Sequence, residues 1–371
     1  MRDATLPRRK VVLLCRAREG GGAEAVFVDL ARAFVEHGID AVLVFACRHV
    51  QRVPETPSGV REITIGARNV AAAAPHFAAL LRRERPDAIL ATLIAPSALA
   101  VACAGVVSPR PRVVAREANA IRAALAWRSP ASRVIAGAVA RAAYPRADAI
   151  VAVSEEAARE LAEFLGLPRS RVTAIPNPAV TPRVLALAAE TPAPAFAAAA
   201  SPLIVGCGRL VAKKGFDVLI DAFAEVRRTR MVKLAVLGDG PLAGDLRARA
   251  DATGYGEDVL LPGFVENPFA WFARAAVFVL SSFAEGMPNV LLQAMACGAP
   301  VVSTDCPTGP REILEDGAWG TLVAPGDASA LADAIAHTLD AREKRDVRAR
   351  AAQFALAPIA QRYLVALGLE R

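Results

Sequence analysis

The sequence predicts an α/β protein of two domains, each built on a parallel sheet. Three observations carry this. Short β-branched apolar runs alternate with helical stretches along the chain, the pattern of βα units. A length of 371 residues suits two domains of ordinary size, and 54% hydrophobic against 22% charged residues can fill two cores. A Pro- and Ala-rich stretch without chemistry, residues 181–202, divides the alternation into 1–180 and 203–350, and residues 351–371 read as a helical tail.

The elements follow in order. VVLLC (11–15) is a first strand entering a glycine loop, REGGGAEAV (18–26). The helix from Ala23 places Ala25, Val28, Leu30 and Phe34 at helical spacing and stops at Gly38. AVLVFA (41–46), ILATLI (89–94), RVVAR (112–116) and AIVAVS (149–154) are further strands, and VTAIPNP (172–178) leads out of the domain. Ser154 can N-cap the next helix, with Glu155 and Glu156 in its first turn. In the second half LIVGCG (203–208), KLAVLG (233–238), VLLPG (259–263), VFVL (277–280) and VVST (301–304) are strands. Helices are expected over 216–227, 242–253, 289–296 and 328–339.

Twenty uncharged residues, Ala88 to Val107, are long enough for a membrane span. Pro96 and Ser97 divide them into halves that fit a buried strand and a buried helix instead. The apolar run Val11 to Cys15 is too short for the core of a signal peptide. Six scattered cysteines without a CxxC read as buried, reduced thiols of a cytoplasmic protein. There is no Asp-x-Asp and no metal-ligand spacing, so no required metal or cofactor is expected.

Charge is uneven. Residues 1–200 hold 26 Lys and Arg against 17 Asp and Glu, and the remainder holds 18 against 20. A basic N-terminal half implies a polyanionic or membrane-facing partner. Within it, residues 116–146 carry Arg122, Arg128, Arg133 and Arg141 among apolar residues, which suits either an anionic bilayer or a solvated helix. Pro130 splits the segment into two short helices. Few aromatics and no binding motif argue against nucleic acid.

The most informative stretch is Ser281 to Leu314, SSFAEGMPNVLLQAMACGAPVVSTDCPTGPREIL. It reads as strand, tight loop, short helix, strand and polar turn. A helix N-terminus after such a loop presents unpaired N–H groups to an anion such as a diphosphate, though an ordinary βα connection has the same outline. Glu285 stands in the loop, Asn289 opens the helix and Gln293 lies a turn later. Glu285 can bind sugar hydroxyls, stabilise positive charge, or cap the helix. In GRLVAKKGF (208–216), Arg209 and Lys214 follow a strand end, where fixed cations can clamp a diphosphate.

This segment resembles the signature of the family-4 retaining glycosyltransferases, in which a second Glu stands where this chain has Gln293. The resemblance extends to GRLVAKKGF, to the GGAE loop and to DAIVAVS. It implies the GT-B fold, two Rossmann-like parallel-sheet domains facing across a cleft. It implies Arg209 and Lys214 as diphosphate ligands, Glu285 at the donor sugar and Gln293 at the ribose. Gly21 and Gly22 are implied beneath the donor, and the loop of Phe264 and Val265 near the nucleobase. Where many members carry a histidine, this chain offers Arg116, Glu117 and Asn119, to which no base is assigned. Thr308, Gly309 and Glu312 can contact the donor or form a turn.

The expected function is transfer of a hexosyl or N-acetylhexosaminyl group from a nucleotide-sugar, UDP-linked by expectation, to a glycan or polyprenyl-diphosphate-linked acceptor, with Glu285, Arg209 and Lys214 as the catalytic set. The enzyme is expected to be metal-independent and peripheral at the inner face of the membrane. The alternatives are a GT-B epimerase or phosphorylase, and a catalytically silent sugar-nucleotide or membrane-binding subunit, motivated by Gln293.

Overall fold

The computed structural model describes residues 9–17, 22–48, 56–192, 201–342 and 345–370. These divide into two compact units, one formed by residues 1–178 with 356–371 and one by 179–355. Gly21 and most of the glycine loop lie outside the described residues.

In the first unit the chain runs β1 (Lys10–Cys15), α1 (Gly22–Glu36), β2 (Asp40–Cys47), β3 (Arg61–Ala67), α2 (Ala74–Glu84), β4 (Ala88–Thr92), α3 (Ile94–Ala104) and β5 (Arg112–Glu117). It continues through α4 (Ile121–Ala126), α5 (Pro130–Ala143), β6 (Ala149–Ala152), α6 (Glu155–Leu165) and β7 (Val172–Ala174). All pairings are parallel, in the order β3-β2-β1-β4-β5-β6-β7. Helices cover both faces of such a sheet, so Val11 to Cys15 are fully buried and read as one apolar run.

The strand expected over 89–94 ends two residues early. Leu93 turns the chain at a φ of 72°, and Ile94 already belongs to α3. The uncharged stretch is therefore a strand and a helix, and among the described residues no helix is long and apolar enough to cross a membrane. Ser154 caps α6 by accepting from the Ala157 amide at 3.1 Å.

The second unit runs α7 (Pro182–Ala188), β8 (Leu203–Cys207), α8 (Phe216–Arg227), β9 (Lys233–Leu237), α9 (Ala243–Ala252), β10 (Val259–Leu260), α10 (Phe269–Phe272) and β11 (Val277–Leu280). Then come α11 (Asn289–Ala296), β12 (Val301–Thr304), α12 (Pro310–Ile313), β13 (Thr321–Val323), α13 (Ala328–Asp340) and α14 (Arg348–Ala351). The sheet is again parallel, ordered β10-β9-β8-β11-β12-β13.

Two boundaries differ from the sequence reading. The stretch expected as a linker includes α7, which Thr181 caps through the Val184 amide and which packs on α10 and α11. The expected tail is also split. Ala351 to Ala355 belong to the second unit, where Val180 bridges Ala355. The last helix, α15 (Leu356–Leu367), belongs to the first unit, packed on α1, β4 and β5. Its buried Ile359, Tyr363 and Leu364 explain why it folds there rather than as a free tail.

Candidate active site

In a parallel sheet, ligands bind beyond the carboxyl ends of the strands where the strand order reverses. In the second unit that point lies between β8 and β11. The loop after β8 carries Arg209, Lys213 and Lys214, and the loop after β11 carries Glu285. The topology alone therefore brings the two sequence motifs together.

Lys214 Nζ donates to Glu285 Oε1 at 2.5 Å, with side chains 15% and 10% exposed. Ser282 Oγ donates to the same oxygen at 2.7 Å. Burial pushes the Glu285 pKa up, but Lys214's charge and hydrogen bond, the Ser282 hydroxyl and Lys213 outweigh it. The carboxyl is held below its usual 4.5 and stays ionised. Lys213 is half-buried, and that burial pulls its pKa down against the opposing pull of Glu285. Arg209 is exposed, and its guanidinium has no partner among the described residues. The loop pair thus holds three cations against one carboxylate.

The loops are fixed by backbone contacts. Gly215 has φ of +60°, and a Cβ there would lie 2.2 Å from the Ser281 carbonyl oxygen. Ser281 Oγ donates to the Lys214 carbonyl at 2.8 Å, and the Phe283 amide donates to the Lys213 carbonyl at 2.8 Å. The turn 308–309 is tied to the Glu285 loop. Thr308 Oγ1 donates to the carbonyls of Glu285 at 2.8 Å and Gly286 at 3.1 Å. Thr308 has φ of 61°, a costly conformation for a β-branched residue, and strain of this kind collects at functional sites. Thr308 therefore shapes the loop, as the turn reading of this segment requires. Glu312 gives its backbone carbonyl to Arg350 at 2.7 Å.

Helix α11 has no side-chain N-cap, so Glu285 turns toward Lys214 instead of capping it. Asn289 and Gln293 lie one turn apart on α11, both partly exposed. The turns after β8, β9 and β10 interlock: the Leu210 amide donates to Asp239 and the Gly238 amide to Gly263, each at 2.9 Å. Phe264 beyond them is 58% exposed. In the first unit Gly22 opens α1 and is exposed.

Arg116 does not offer itself to a substrate. It is fully buried, donating to Tyr363 Oη at 2.9 Å, Thr92 Oγ1 at 2.8 Å and Asn177 Oδ1 at 2.5 Å. Glu117 is buried as well, accepting from Tyr144 Oη at 2.8 Å and the Asn119 amide at 3.1 Å. No two of the six cysteines are joined in a disulfide, four of the six are buried, and burial pushes the thiols of Cys207, Cys297 and Cys306 up to about 12. Among the described residues no group of His, Cys, Asp and Glu is placed to hold a metal. Sequence reasoning passed over Ser281 and Ser282. The adjacent hydroxyls closing an apolar strand three residues before a loop carboxylate were the available signal.

Comparison with known proteins decides the family. Residues 201–341 match the model described as "Glycosyl transferases group 1", and residues 20–182 match "Glycosyltransferase Family 4". The lipopolysaccharide core biosynthesis glycosyltransferase LpsE of Rhizobium meliloti is 30% identical over 324 residues, covering 85% of this chain and 84% of LpsE. The chain belongs to the group 1, family 4 glycosyltransferases. Within this family of glycosyltransferases, similarity to other relatives is more local. The Campylobacter jejuni N-acetylgalactosamine-N,N'-diacetylbacillosaminyl-diphospho-undecaprenol 4-alpha-N-acetylgalactosaminyltransferase is 38% identical, with 32% of each chain covered. The uncharacterized glycosyltransferase MJ1059 of Methanocaldococcus jannaschii is 40% identical over 30% of this chain and 28% of its own length. The chain thus spans about a third or less of these two relatives. Among solved structures, sucrose-phosphate synthase from Thermosynechococcus elongatus superposes with a TM-score of 0.80 at 19% identity, over 98% of this chain and 100% of that one. Anabaena Alr3699/HepE, solved with UDP and glucose, gives 0.77 at 19%, over 97% and 100%. The fold of this chain is therefore GT-B.

Proposed function

We propose that this chain is a retaining glycosyltransferase moving a hexosyl or N-acetylhexosaminyl group from a UDP-sugar to a glycan or lipid-linked acceptor. The observation that carries the reading is an ionised carboxylate held by Lys214 and Lys213, with Arg209 on the same loop, at the strand-order reversal of the second unit. Such a site has surplus positive charge for a diphosphate leaving group. Arg209 supplies a forked guanidinium and Lys214 a point charge, and both gain strength as negative charge develops on the departing phosphate. Glu285, held ionised by Lys214, faces the sugar and stabilises its developing positive charge. Proton transfer from the acceptor goes to the leaving phosphate, so no side-chain base is required.

With cations already in place, the reading needs no metal or other cofactor. The names of LpsE and the Campylobacter enzyme, a lipopolysaccharide core and a diphospho-undecaprenol carrier, support an acceptor of that class. An excess of 26 basic over 17 acidic residues in residues 1–200 supports peripheral work at the cytoplasmic face of an anionic membrane. Gln293 favours one second reading, a silent nucleotide-binding subunit. An amide offers one acceptor oxygen where a carboxylate offers two.

The test is a thermal-shift titration with UDP, GDP, ADP and TDP in EDTA. Stabilisation by UDP that disappears in Arg209→Ala and Lys214→Ala is expected. Glu285→Gln should keep the UDP shift yet lower transfer at least about 100-fold, the scale of one lost electrostatic stabiliser. An unchanged rate in Glu285→Gln would remove Glu285 from the catalytic set, and UDP stabilisation of a wild type that transfers no sugar would favour the silent subunit. No shift with any diphosphate would remove the donor site as assigned.

A further inference from the structure

The corner between α4 and α5 carries a feature that the donor site does not explain. Residues 126–135, AWRSPASRVI, are ten consecutive exposed positions. They include Trp127 at 55%, Val134 at 72% and Ile135 at 64% exposure, three of the eight exposed large hydrophobics among the described residues. Scattered apolar side chains on a surface are ordinary, but a group on one corner marks a contact surface. The corner holds no acidic residue.

The arginines sort into two kinds. Arg122 pairs with Glu163 at 3.7 Å, and Arg141 lies over the Phe164 ring at 4.0 Å, so both outer arginines are committed to α6. Arg133 donates to the Ala126 carbonyl at 3.0 Å, which closes the corner. The Arg128 guanidinium has no partner among the described residues. The basic amphipathic stretch read from 116–146 thus narrows to Arg128 and Arg133 beside Trp127, Val134 and Ile135.

We infer that this corner is the wedge by which the protein seats on an anionic lipid bilayer. Trp127 and the two aliphatics enter the headgroup boundary while Arg128 and Arg133 meet lipid phosphates. The inference rests on the peripheral membrane reading proposed above. The partner must be apolar and anionic at once, over a corner only ten residues long. An indole ring with its polar N–H suits the interfacial layer, and Arg side chains reach the headgroups from the same depth. A nucleic acid would need more than one aromatic for stacking.

The experiment uses the full chain with vesicles of phosphatidylcholine alone or mixed with phosphatidylglycerol. Wild type should co-sediment with the mixed vesicles only. Trp127→Ser/Val134→Ser/Ile135→Ser and Arg128→Gln/Arg133→Gln should each lower partitioning at least about tenfold, roughly fivefold per neutralised arginine at the surface. Brominated lipids should quench Trp fluorescence in wild type and not in Trp127→Phe. All substitutions are on exposed side chains, and an unchanged melting temperature certifies the fold. Full binding by both variants would overturn the wedge and leave the membrane reading standing. No binding of wild type to any anionic vesicle would overturn the membrane reading itself. Sedimentation with protein-containing membranes but not with pure lipid would assign the corner to a protein partner, against the inference.

Discussion

Glu285 and Glu117 are both buried carboxylates, yet their surroundings push them in opposite directions. Glu285 has an ammonium and a hydroxyl on one oxygen and is held ionised. Glu117 is raised above 4.5, first by burial, which the hydrogen bonds of Tyr144 and Asn119 and the charge of Arg116 only partly offset. The sign follows from proton linkage. The folded state binds the Glu117 proton more tightly than the unfolded chain, so between 4.5 and the higher folded value stability falls as pH rises. Glu117→Gln keeps an acceptor for Tyr144 and abolishes this loss. Its urea midpoint at pH 8 relative to pH 5 should be higher than that of wild type. An identical pH dependence in both proteins would show that Glu117 carries no such penalty. In the same protein Arg116 and Glu117 looked like available polar groups in the sequence. The burial of Arg116 was illegible because its partners Tyr363 and Asn177 lie 247 and 61 residues away, and that of Glu117 because Tyr144, which donates to it, lies 27 residues on.

At the scale of elements, strands buried on both faces announced themselves. β1, β2, β8, β9, β11 and β12 are near-continuous apolar runs, as central parallel strands must be. The edge strands β3 and β13 did not. β3 is half-exposed and mixes Arg61, Glu62 and Thr64 with isoleucines, and β13 has three residues, none fully buried. The site followed the same rule. Lys214 and Glu285 were each legible in a motif, but their ion pair was not, because 71 residues separate them and only the sheet order makes them neighbours. Gly215 is where that juxtaposition is most exposed to test. A Cβ at 2.2 Å from a backbone carbonyl cannot be relieved by a rotamer change. Gly215→Ala should cost about 2–4 kcal/mol, from the positive φ and overpacking together. The melting temperature should fall by roughly 5–10 °C and the UDP shift should vanish. A melting change below about 1 °C would mean that the loops part without cost.

For the whole molecule, the division into units predicts which part depends on α15. Ending the chain after Ala355 removes Tyr363 from Arg116 and uncovers the surfaces of α1, β4 and β5. A buried guanidinium short of one partner costs about 1–3 kcal/mol, and the lost apolar burial adds to it. Amide hydrogen exchange in β1, β4 and β5 should therefore accelerate at least about 100-fold, while β8, β11 and β12 keep their protection. Equal acceleration in both sheets would mean that the two units do not unfold separately.

The split of the first unit around the second also sets an order of events during translation. The ribosome delivers all of residues 179–355 before α15 exists. The second unit can reach its final packing as soon as it clears the exit tunnel. The first unit, although it emerges earlier, waits for a helix made after its neighbour. At about 5–20 residues per second, Tyr363 follows Arg116 by roughly 10–50 s. For that interval the nascent chain carries a guanidinium short of one partner and bare apolar surface on β4 and β5, surface of the kind that chaperones bind.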